Sequence, residues 1–207
     1  MASENPITML PPGDYRYEIR RDGALFAIEE ERFESHLITG VRRSSDGLDR
    51  HEVSARLGPA GAPEYLDVRC TRALFNRKAR YEADNDVLRG SISALAGRNE
   101  VVVKLGRFRE IDADLMLFKA LTLAHIRARG QALWTGRVAL IDPASLSAAA
   151  LKQSWRQVDT LARRWAFEPR MGDREDIEAD DDGRILHRRD ARGAEIFLVS
   201  FVPAEVR

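Results

Sequence analysis

Histidine and aspartate are the clearest candidates for acid–base chemistry in this sequence of 207 residues. His125 lies in an apolar segment, residues 111–130, where a neutral imidazole could act as a general base with Asp112 or Asp114 on the same element. The structural alternative is a core histidine bonded to the backbone. No two histidines have the H-x-x-x-H spacing of a helical metal site and none pairs with a cysteine, so we expect neither a metal nor a cofactor.

The single cysteine, Cys70, excludes an internal disulfide and any multi-cysteine metal site. Arg69 and Arg72 could lower the pKa of its thiol, and the alternative is an inert thiol in or near the core. The sequence has no nucleophile elbow, no P-loop and no dinucleotide-binding glycine pattern. We therefore assign no catalytic residue.

Large aromatic side chains favour a ligand-binding role. A sheet that curves around a helix leaves an apolar crevice along the helix where packing is incomplete, and such crevices hold lipids or other small molecules. We predict that Phe118, Trp134 and Trp155 line this crevice and that His125 is its polar anchor. The alternative is that the tryptophans only fill the core.

The charge balance argues against a general nucleic-acid binder, because Lys plus Arg (33) equals Asp plus Glu (33). Arginine-rich stretches at 72–80, 163–164 and 184–192 lie close to acidic residues. This arrangement favours solvated strand faces with cross-strand ion pairs over a phosphate-binding groove. The N-terminus lacks the basic and apolar regions of a signal peptide, so we expect a cytoplasmic protein without a membrane span.

The longest apolar segment predicts a buried helix near residues 112–129. Asp112 or Asp114 can cap its N-terminus, and Arg127 and Arg129 suit its last turn. Gly130 is placed to take the left-handed conformation that ends many helices. Apolar residues cover nearly the whole circumference, so the helix is buried on most sides and is too short to span a bilayer.

Short strands with turns between them account for most of the remaining sequence. Eight precede the helix, at 15–19, 24–33, 37–41, 52–57, 65–70, 79–83, 87–93 and 101–105. Asp22-Gly23 is a strong hairpin signal, and residues 96–99 indicate another turn. Four more strands follow the helix, at 132–141, 176–179, 184–188 and 195–202. The last has two mostly apolar faces, which is typical of a central strand. Such short connections require antiparallel pairing.

Residues 145–165 are ambiguous. Leu151, Trp155, Val158, Ala162 and Trp165 recur at steps of four and three, which predicts an amphipathic helix. Alternation of side chains in the first half of the segment also fits a strand. We favour the helix.

These patterns predict a mainly β fold (α+β), with a curved antiparallel sheet or half-barrel wrapped around a buried central helix. Residues 1–14 form an N-terminal arm, and residues 15–207 form one half-barrel domain.

Two short pieces, Ile111-Asp112-Ala113-Asp114-Leu115 and Asp182-Gly183-Arg184-Ile185, match motifs of a known family. With the order of elements over most of the chain, they make this sequence resemble a bacterial family of proposed glycolipid-binding proteins and related curved-sheet proteins of unknown function. That family has a polar, proline-containing stretch after its D-x-D-L motif, where this chain has the apolar residues 116–124. The resemblance implies the curved-sheet fold and no catalytic residues.

Three functions are consistent with the sequence. The first is a non-enzymatic protein that binds a lipid-like or other apolar ligand in the sheet–helix crevice, and it could form a homodimer. The second is a hydrolase that acts on a thioester or similar acyl substrate, with His125 as its base. The third is a protein–protein interaction module that uses an exposed edge strand or the 145–165 segment.

Overall fold

A computed structural model of the protein describes residues 10–58, 61–73, 75–94, 97–105, 110–159, 161, 163–170 and 173–204. Within this part of the chain there are fifteen strands and one helix, so the predicted mainly β class is confirmed. Eight strands precede the helix: β1 (Gly13–Arg21), β2 (Ala24–Glu34), β3 (Leu37–Ser44), β4 (Asp49–Leu57), β5 (Pro63–Arg72), β6 (Phe75–Asp84), β7 (Val87–Ala94) and β8 (Gly97–Lys104). The elements that follow are β9 (Ile111–Asp112), α1 (Met116–Ala128), β10 (Leu133–Ile141), β11 (Ala148–Gln157), β12 (Arg164–Arg170), β13 (Asp173–Ala179), β14 (Ile185–Arg189) and β15 (Glu195–Pro203).

All the strands belong to one curved sheet in the order β8-β7-β6-β5-β4-β3-β2-β1-β15-β14-β13-β12-β11-β10-β9. Neighbouring strands are antiparallel except for β9 and β10, which are parallel. The sheet has two edges, β8 and β9, so it is not closed. Strand β15 pairs with both β1 and β14, as its two apolar faces predict.

The first hairpin shows how the sequence determines one face of this sheet. Tyr15 and Tyr17 of β1 are buried and Arg16 between them is exposed, because successive side chains of a strand point to opposite faces. Asp22 and Gly23 both have positive φ (51° and 79°), the geometry of the predicted two-residue turn. The buried face continues across β2 to β8 and is called the inner face below.

Helix α1 lies against the inner face, and its first eleven residues are all buried. Its C-terminus is as predicted. Gly130 has a φ of 63°, and its N–H donates to the carbonyl of Arg127 at 2.8 Å, while the N–H of Gln131 donates to that of Ile126 at 3.2 Å. These are the two bonds of a Schellman motif. The helix is not long and apolar enough to cross a membrane.

The predicted N-terminal cap of the helix is wrong. The N-cap residue is Leu115, which has no side-chain cap, and no acidic residue lies in the first turn. Asp112 ends β9 and Asp114 lies in the turn before the helix. The carboxylates that receive the first N–H groups come from β2 instead, as described below.

The helix favoured for residues 145–165 is also wrong. Residues 148–157 form β11, and Trp155 lies directly opposite Trp134 of β10 and Phe167 of β12. Gln153 and Trp155 both point to the core, and exposed Lys152 and Arg156 flank them, so the strand alternation decides the structure. The helical spacing of the apolar residues is coincidental, and β12 was not predicted.

Two smaller expectations differ from the structure. Gly97, Arg98 and Asn99 lie in β8 and not in a turn, and Ala96 is outside the described residues. Strand β1 begins at Gly13, two residues inside the predicted 1–14 arm, and residues 1–9 of that arm are also outside the described part. Leu10 is buried in the core that the sheet and helix share.

Candidate functional site

Two buried glutamates of β2 hold the N-terminus of α1. The N–H of Met116 donates to Oε1 of Glu29 at 2.7 Å, and the N–H of Leu117 lies 3.1 Å from both carboxylate oxygens of Glu31. The first N–H groups of a helix have no partner within the helix and carry partial positive charge, so carboxylates stabilise them. The N-terminal end of this helix is therefore occupied by two carboxyl groups of the protein itself.

The turn that leads into the helix is strained and tightly held. Asp114 has a φ of 61°, a left-handed conformation that residues other than glycine adopt at a cost. Its N–H donates to Oδ1 of Asp112 at 2.8 Å, and its carboxylate accepts from Nη1 of Arg42 at 2.7 Å. Nη2 of Arg42 also donates to the Asp114 carbonyl, and Nε of Arg42 donates to Glu29 at 2.7 Å.

Further ion pairs surround this turn. Nζ of Lys119 lies 3.1 and 3.0 Å from the two carboxylate oxygens of Asp112, and both side chains are almost fully buried. Arg188 of β14 makes a bidentate pair with Glu175 of β13, at 2.6 and 2.8 Å. Buried charges persist only when they are paired. The first pair joins α1 to β9, and the second joins β14 to β13 near enough for the charge of Arg188 to act on Asp114.

The charged groups around the 112–114 turn have pKa shifts that follow from burial and pairing. Burial, then the charge of Glu29, raises the pKa of Glu31 well above its usual value. Burial opposes ionisation of Asp114, but the nearby Arg42 and Lys119 outweigh it and hold the pKa of Asp114 below its usual value. Burial likewise opposes the charge of Arg42, and its carboxylate partners raise the pKa of Arg42 nonetheless. Groups with shifted pKa values make their surroundings a candidate functional site, although structural ion pairs shift pKa values too.

His51 of β4 contacts the same turn. Its Nε2 lies 3.0 Å from the carbonyl oxygen of Ala113, between the two aspartates. Burial lowers the pKa of His51 below its usual value, so the imidazole is neutral near pH 7. Arg42 and His51 thus both bind the 112–114 turn from the inner face of the sheet.

An apolar crevice opens beside these two residues, and its volume is about 230 Å³. Its walls are the ends of β2 to β5 and the loop between β10 and β11. The lining residues are Phe26, Ala27, Arg42, Ser44, Asp49, Arg50, His51, Cys70, Arg72, Pro143 and Ala144. Apolar groups thus form much of the wall. Arg42 and His51 connect this wall to the 112–114 turn.

The β10–β11 loop is fixed over the crevice by two contacts with β6. The Tyr81 hydroxyl donates to the carbonyl of Leu146, and Nη1 of Arg77 donates to that of Ala144 at 3.1 Å. Leu146 is fully buried although its φ is 59°. The crevice wall is therefore anchored to the opposite half of the sheet.

The structure buries all four residues that the sequence suggested for a ligand site, and none of them lines this crevice. Trp134 and Trp155 are cross-strand neighbours, and the Trp155 ring lies 4.3 Å from that of Phe167. Nδ1 of His125 lies 2.9 Å from Oε1 of Glu110, so its partner is neither Asp112 nor Asp114. Phe118 is in the core.

The structure adds Arg42, His51 and Cys70 as candidate site residues, because all three line the crevice. Burial raises the pKa of Cys70, so the nearby arginines do not produce a reactive thiolate. No local motif marks Arg42 or His51, which are inner-face positions of two neighbouring strands. The available signal was a polar residue at a strand position where the alternation predicts an apolar one. Within the described residues no group of histidine, cysteine and carboxylate side chains could hold a metal ion.

A larger groove, about 560 Å³, lies on the outer face of β1 to β5. Its floor contains the short side chains of Thr39, Val41 and Ser54. Its rim contains exposed charges such as Arg16 and Glu30, which are 3.6 Å apart. Exposed ion pairs of this kind contribute little binding energy. The smaller crevice, where apolar walls meet buried polar groups, has the character of a ligand site.

Together these features define a mainly β protein with one buried helix and an apolar crevice at the helix entry. The fold is similar to that of a DUF1089 family protein from Pseudomonas aeruginosa. The two chains are 15% identical with a TM-score of 0.57, and the similarity covers 78% of this chain and 88% of that one. At this identity the likeness shows the fold alone. No family model and no curated protein matches the sequence.

Proposed function

We propose that this protein binds a small apolar or lipid-like ligand in the crevice beside His51 and Cys70. The observation that carries the proposal is the apolar crevice itself, which lies beside Arg42 and His51, the residues that hold the strained 112–114 turn. In this proposal the curved sheet forms a half-barrel around α1, and the crevice is the open end of the space that they share.

The chemistry of the crevice supports binding more than catalysis. The thiol of Cys70 is a poor nucleophile because burial raises its pKa. The guanidinium of Arg42 is already bonded to Glu29 and Asp114. Apolar contact with Phe26 and Pro143 is therefore the main interaction that a ligand gains here.

Occupancy can be measured through Cys70, because it is the only cysteine and it lines the crevice. Native mass spectrometry of the purified protein, before and after organic extraction, would first detect any ligand that co-purifies. We then expect 1-octanol or p-xylene to protect Cys70 from alkylation by N-ethylmaleimide in a saturable manner. Failure of every apolar compound to protect the thiol would refute the proposal.

A crevice-filling variant localises the effect. Ala144 lines the crevice, so Ala144→Trp should abolish protection by 1-octanol. Ala150 is an exposed alanine of β11 outside the crevice, so Ala150→Trp is the matched control and should leave protection unchanged. Equal behaviour of the two variants would place the ligand elsewhere.

A further inference from the structure

A row of side chains that is mostly positive crosses four neighbouring strands on the outer face of the sheet. Arg69 of β5 lies directly opposite Lys78 of β6. Lys78 in turn lies opposite Ser93 of β7, and Ser93 lies opposite Arg98 of β8. Directly opposite residues of antiparallel strands share a face and have Cβ atoms about 5 Å apart. We call these four residues the cationic row, and all of them are exposed.

The cationic row lacks the ion pairs of the row beside it. There, Arg80 lies opposite Asp67, with its Nε 3.2 Å from Oδ1 of the carboxylate. None of the three cations of the cationic row makes an ion pair among the described residues. Glu52 lies opposite Arg69 on its other side, but it is paired with Arg50. Like charges placed directly opposite each other destabilise a sheet, so this row has positive charge that the described chain does not neutralise.

A groove of about 390 Å³ lies along the cationic row. Its lining contains the whole row and adds Ser91 and the pair of Asp67 with Arg80. Both oxygens of the Asp67 carboxylate are already bonded, one to Arg80 and the other to the Tyr65 hydroxyl at 2.8 Å. The hydroxyls of Ser91 and Ser93 have no hydrogen-bond partner among the described residues. One concave surface therefore combines four cations with two free hydroxyl donors.

We propose that this groove binds a small molecule that carries two or more phosphate groups and lies along the cationic row. Neighbouring strands are about 4.8 Å apart, so the row from β5 to β8 spans roughly 14 Å, more than one phosphate group covers. The groove and the apolar crevice share no lining residue, so this site is independent of the proposed apolar ligand.

The residue types of the row suit phosphate. Arginine forms bidentate hydrogen bonds with phosphate oxygens, and lysine supplies a compact positive charge. In this site Arg69 and Arg98 bind at the two ends of the ligand, Lys78 lies between them, and the hydroxyl of Ser93 donates a hydrogen bond beside Lys78. The phosphate groups supply the negative charge that this row lacks.

Isothermal titration calorimetry of the full chain with inorganic tripolyphosphate tests the site. We expect saturable binding that weakens as the salt concentration rises, because salt screens exposed charges. Orthophosphate and citrate should each bind at least about tenfold more weakly, since the first cannot span the row and the second offers carboxylates. Equal affinity for either compound would overturn the assignment of a ligand with several phosphate groups.

Variants locate the binding site. Arg69→Gln and Lys78→Gln should each weaken tripolyphosphate binding about five- to tenfold, the cost of losing one charged hydrogen bond at an exposed site. Arg192 is an exposed arginine in the turn between β14 and β15 and has no ion pair among the described residues, so Arg192→Gln is the matched control. Equal affinities of Arg69→Gln and Arg192→Gln would overturn the proposal.

Stability without ligand gives a second readout. Lys78→Gln should be at least as stable as the unsubstituted protein in urea at low salt, because the substitution relieves repulsion by Arg69. A clear loss of stability would show that contacts within the protein hold Lys78, and the proposal would then be wrong.

Phosphatidylcholine vesicles that contain phosphatidylinositol bisphosphate distinguish the two sources of such phosphate groups. Binding of free tripolyphosphate without co-sedimentation with these vesicles assigns the site to a soluble compound. Co-sedimentation that tripolyphosphate displaces and that Arg69→Gln weakens assigns it to a lipid headgroup. If the protein binds neither tripolyphosphate nor these vesicles, the proposal is overturned, while the protection of Cys70 still decides the proposed function.

Discussion

Arg42 and Asp114, 72 residues apart in sequence, are joined by two hydrogen bonds. Nη1 donates to the carboxylate at 2.7 Å and Nη2 to the backbone carbonyl. Asp114 has a φ of 61°, so this contact holds a strained residue at the start of the helix. The geometry of the crevice thus depends on a pair that bridges strand and helix entry.

Removing Arg42 should be costly. Arg42→Met leaves the fully buried Glu29 without its cation, and it leaves Asp114 with Lys119 alone, 3.9 Å away. We expect urea unfolding to show a loss of about 3–5 kcal/mol, the usual result of breaking a buried pair. The control is the adjacent Arg43, whose exposed pair with Glu30 should contribute below about 1 kcal/mol. Equal losses for Arg42→Met and Arg43→Met would contradict this assignment.

Glu31 should make stability fall as the pH rises. Burial and Glu29 raise the pKa of Glu31 above 4.5, so the folded state retains a proton that the unfolded state has released. The contribution of this group is full below about pH 4.5 and is lost as the pH rises through the folded-state pKa. Glu31→Gln should flatten the decline in unfolding free energy above pH 4.5. The exposed neighbour serves as control, and Glu30→Gln should leave the slope unchanged.

Gly40 lets the helix entry approach β3 closely. A Cβ at this position would lie 2.5 Å from Cδ1 of Leu115, which is fully buried. We expect Gly40→Ala to reduce the unfolding free energy by about 1–3 kcal/mol through overpacking. Because the clash is with Leu115, the same substitution in a Leu115→Ala background should cost less. Strictly additive effects in this double-mutant cycle would show that the strain lies elsewhere.

Tyr81 should control the mobility of the crevice wall. Tyr81→Phe leaves the buried Leu146 carbonyl without its donor, which should cost about 1–2 kcal/mol. Hydrogen exchange of residues 142–147 should accelerate as a result. Tyr65→Phe is the matched control, because the Tyr65 hydroxyl bonds to Asp67 outside the crevice. Unchanged exchange in Tyr81→Phe would mean that other contacts hold the loop.

The sequence predicts the strands well because one face of the sheet is buried. Tyr15, Tyr17 and Ile19 alternate with charged residues, and Asp22-Gly23 marks the turn. The C-terminus of the helix is equally predictable, because its signal is local and Gly130 supplies the required conformation. Its N-terminus is not, because Glu29 and Glu31 come from a strand more than eighty residues earlier.

The β11 segment and the crevice could not be predicted for a similar reason. The helical spacing of Leu151, Trp155 and Val158 is as regular as the strand alternation, and only the pairing of Trp155 with Trp134 decides between them. Arg42 lies beside Arg43, and His51 lies between Arg50 and Glu52, so nothing local distinguishes them from the other polar residues of their strands. Their convergence on one turn is a property of the folded sheet, so no spacing in the sequence reveals it.

The strand order has a consequence for how the chain folds. Except for β1 and β15, neighbours in the sheet are consecutive in the chain, and the β1–β15 pair joins segments far apart in sequence at the centre. Such a contact carries a large loop-closure entropy. The N–H of Ala204 donates to the carbonyl of Pro12 at 3.0 Å, so a short linker could join these ends. In a circular permutant opened between β8 and β9, all neighbouring strands of the sheet would then be consecutive in the chain, and the β1–β15 contact would become local.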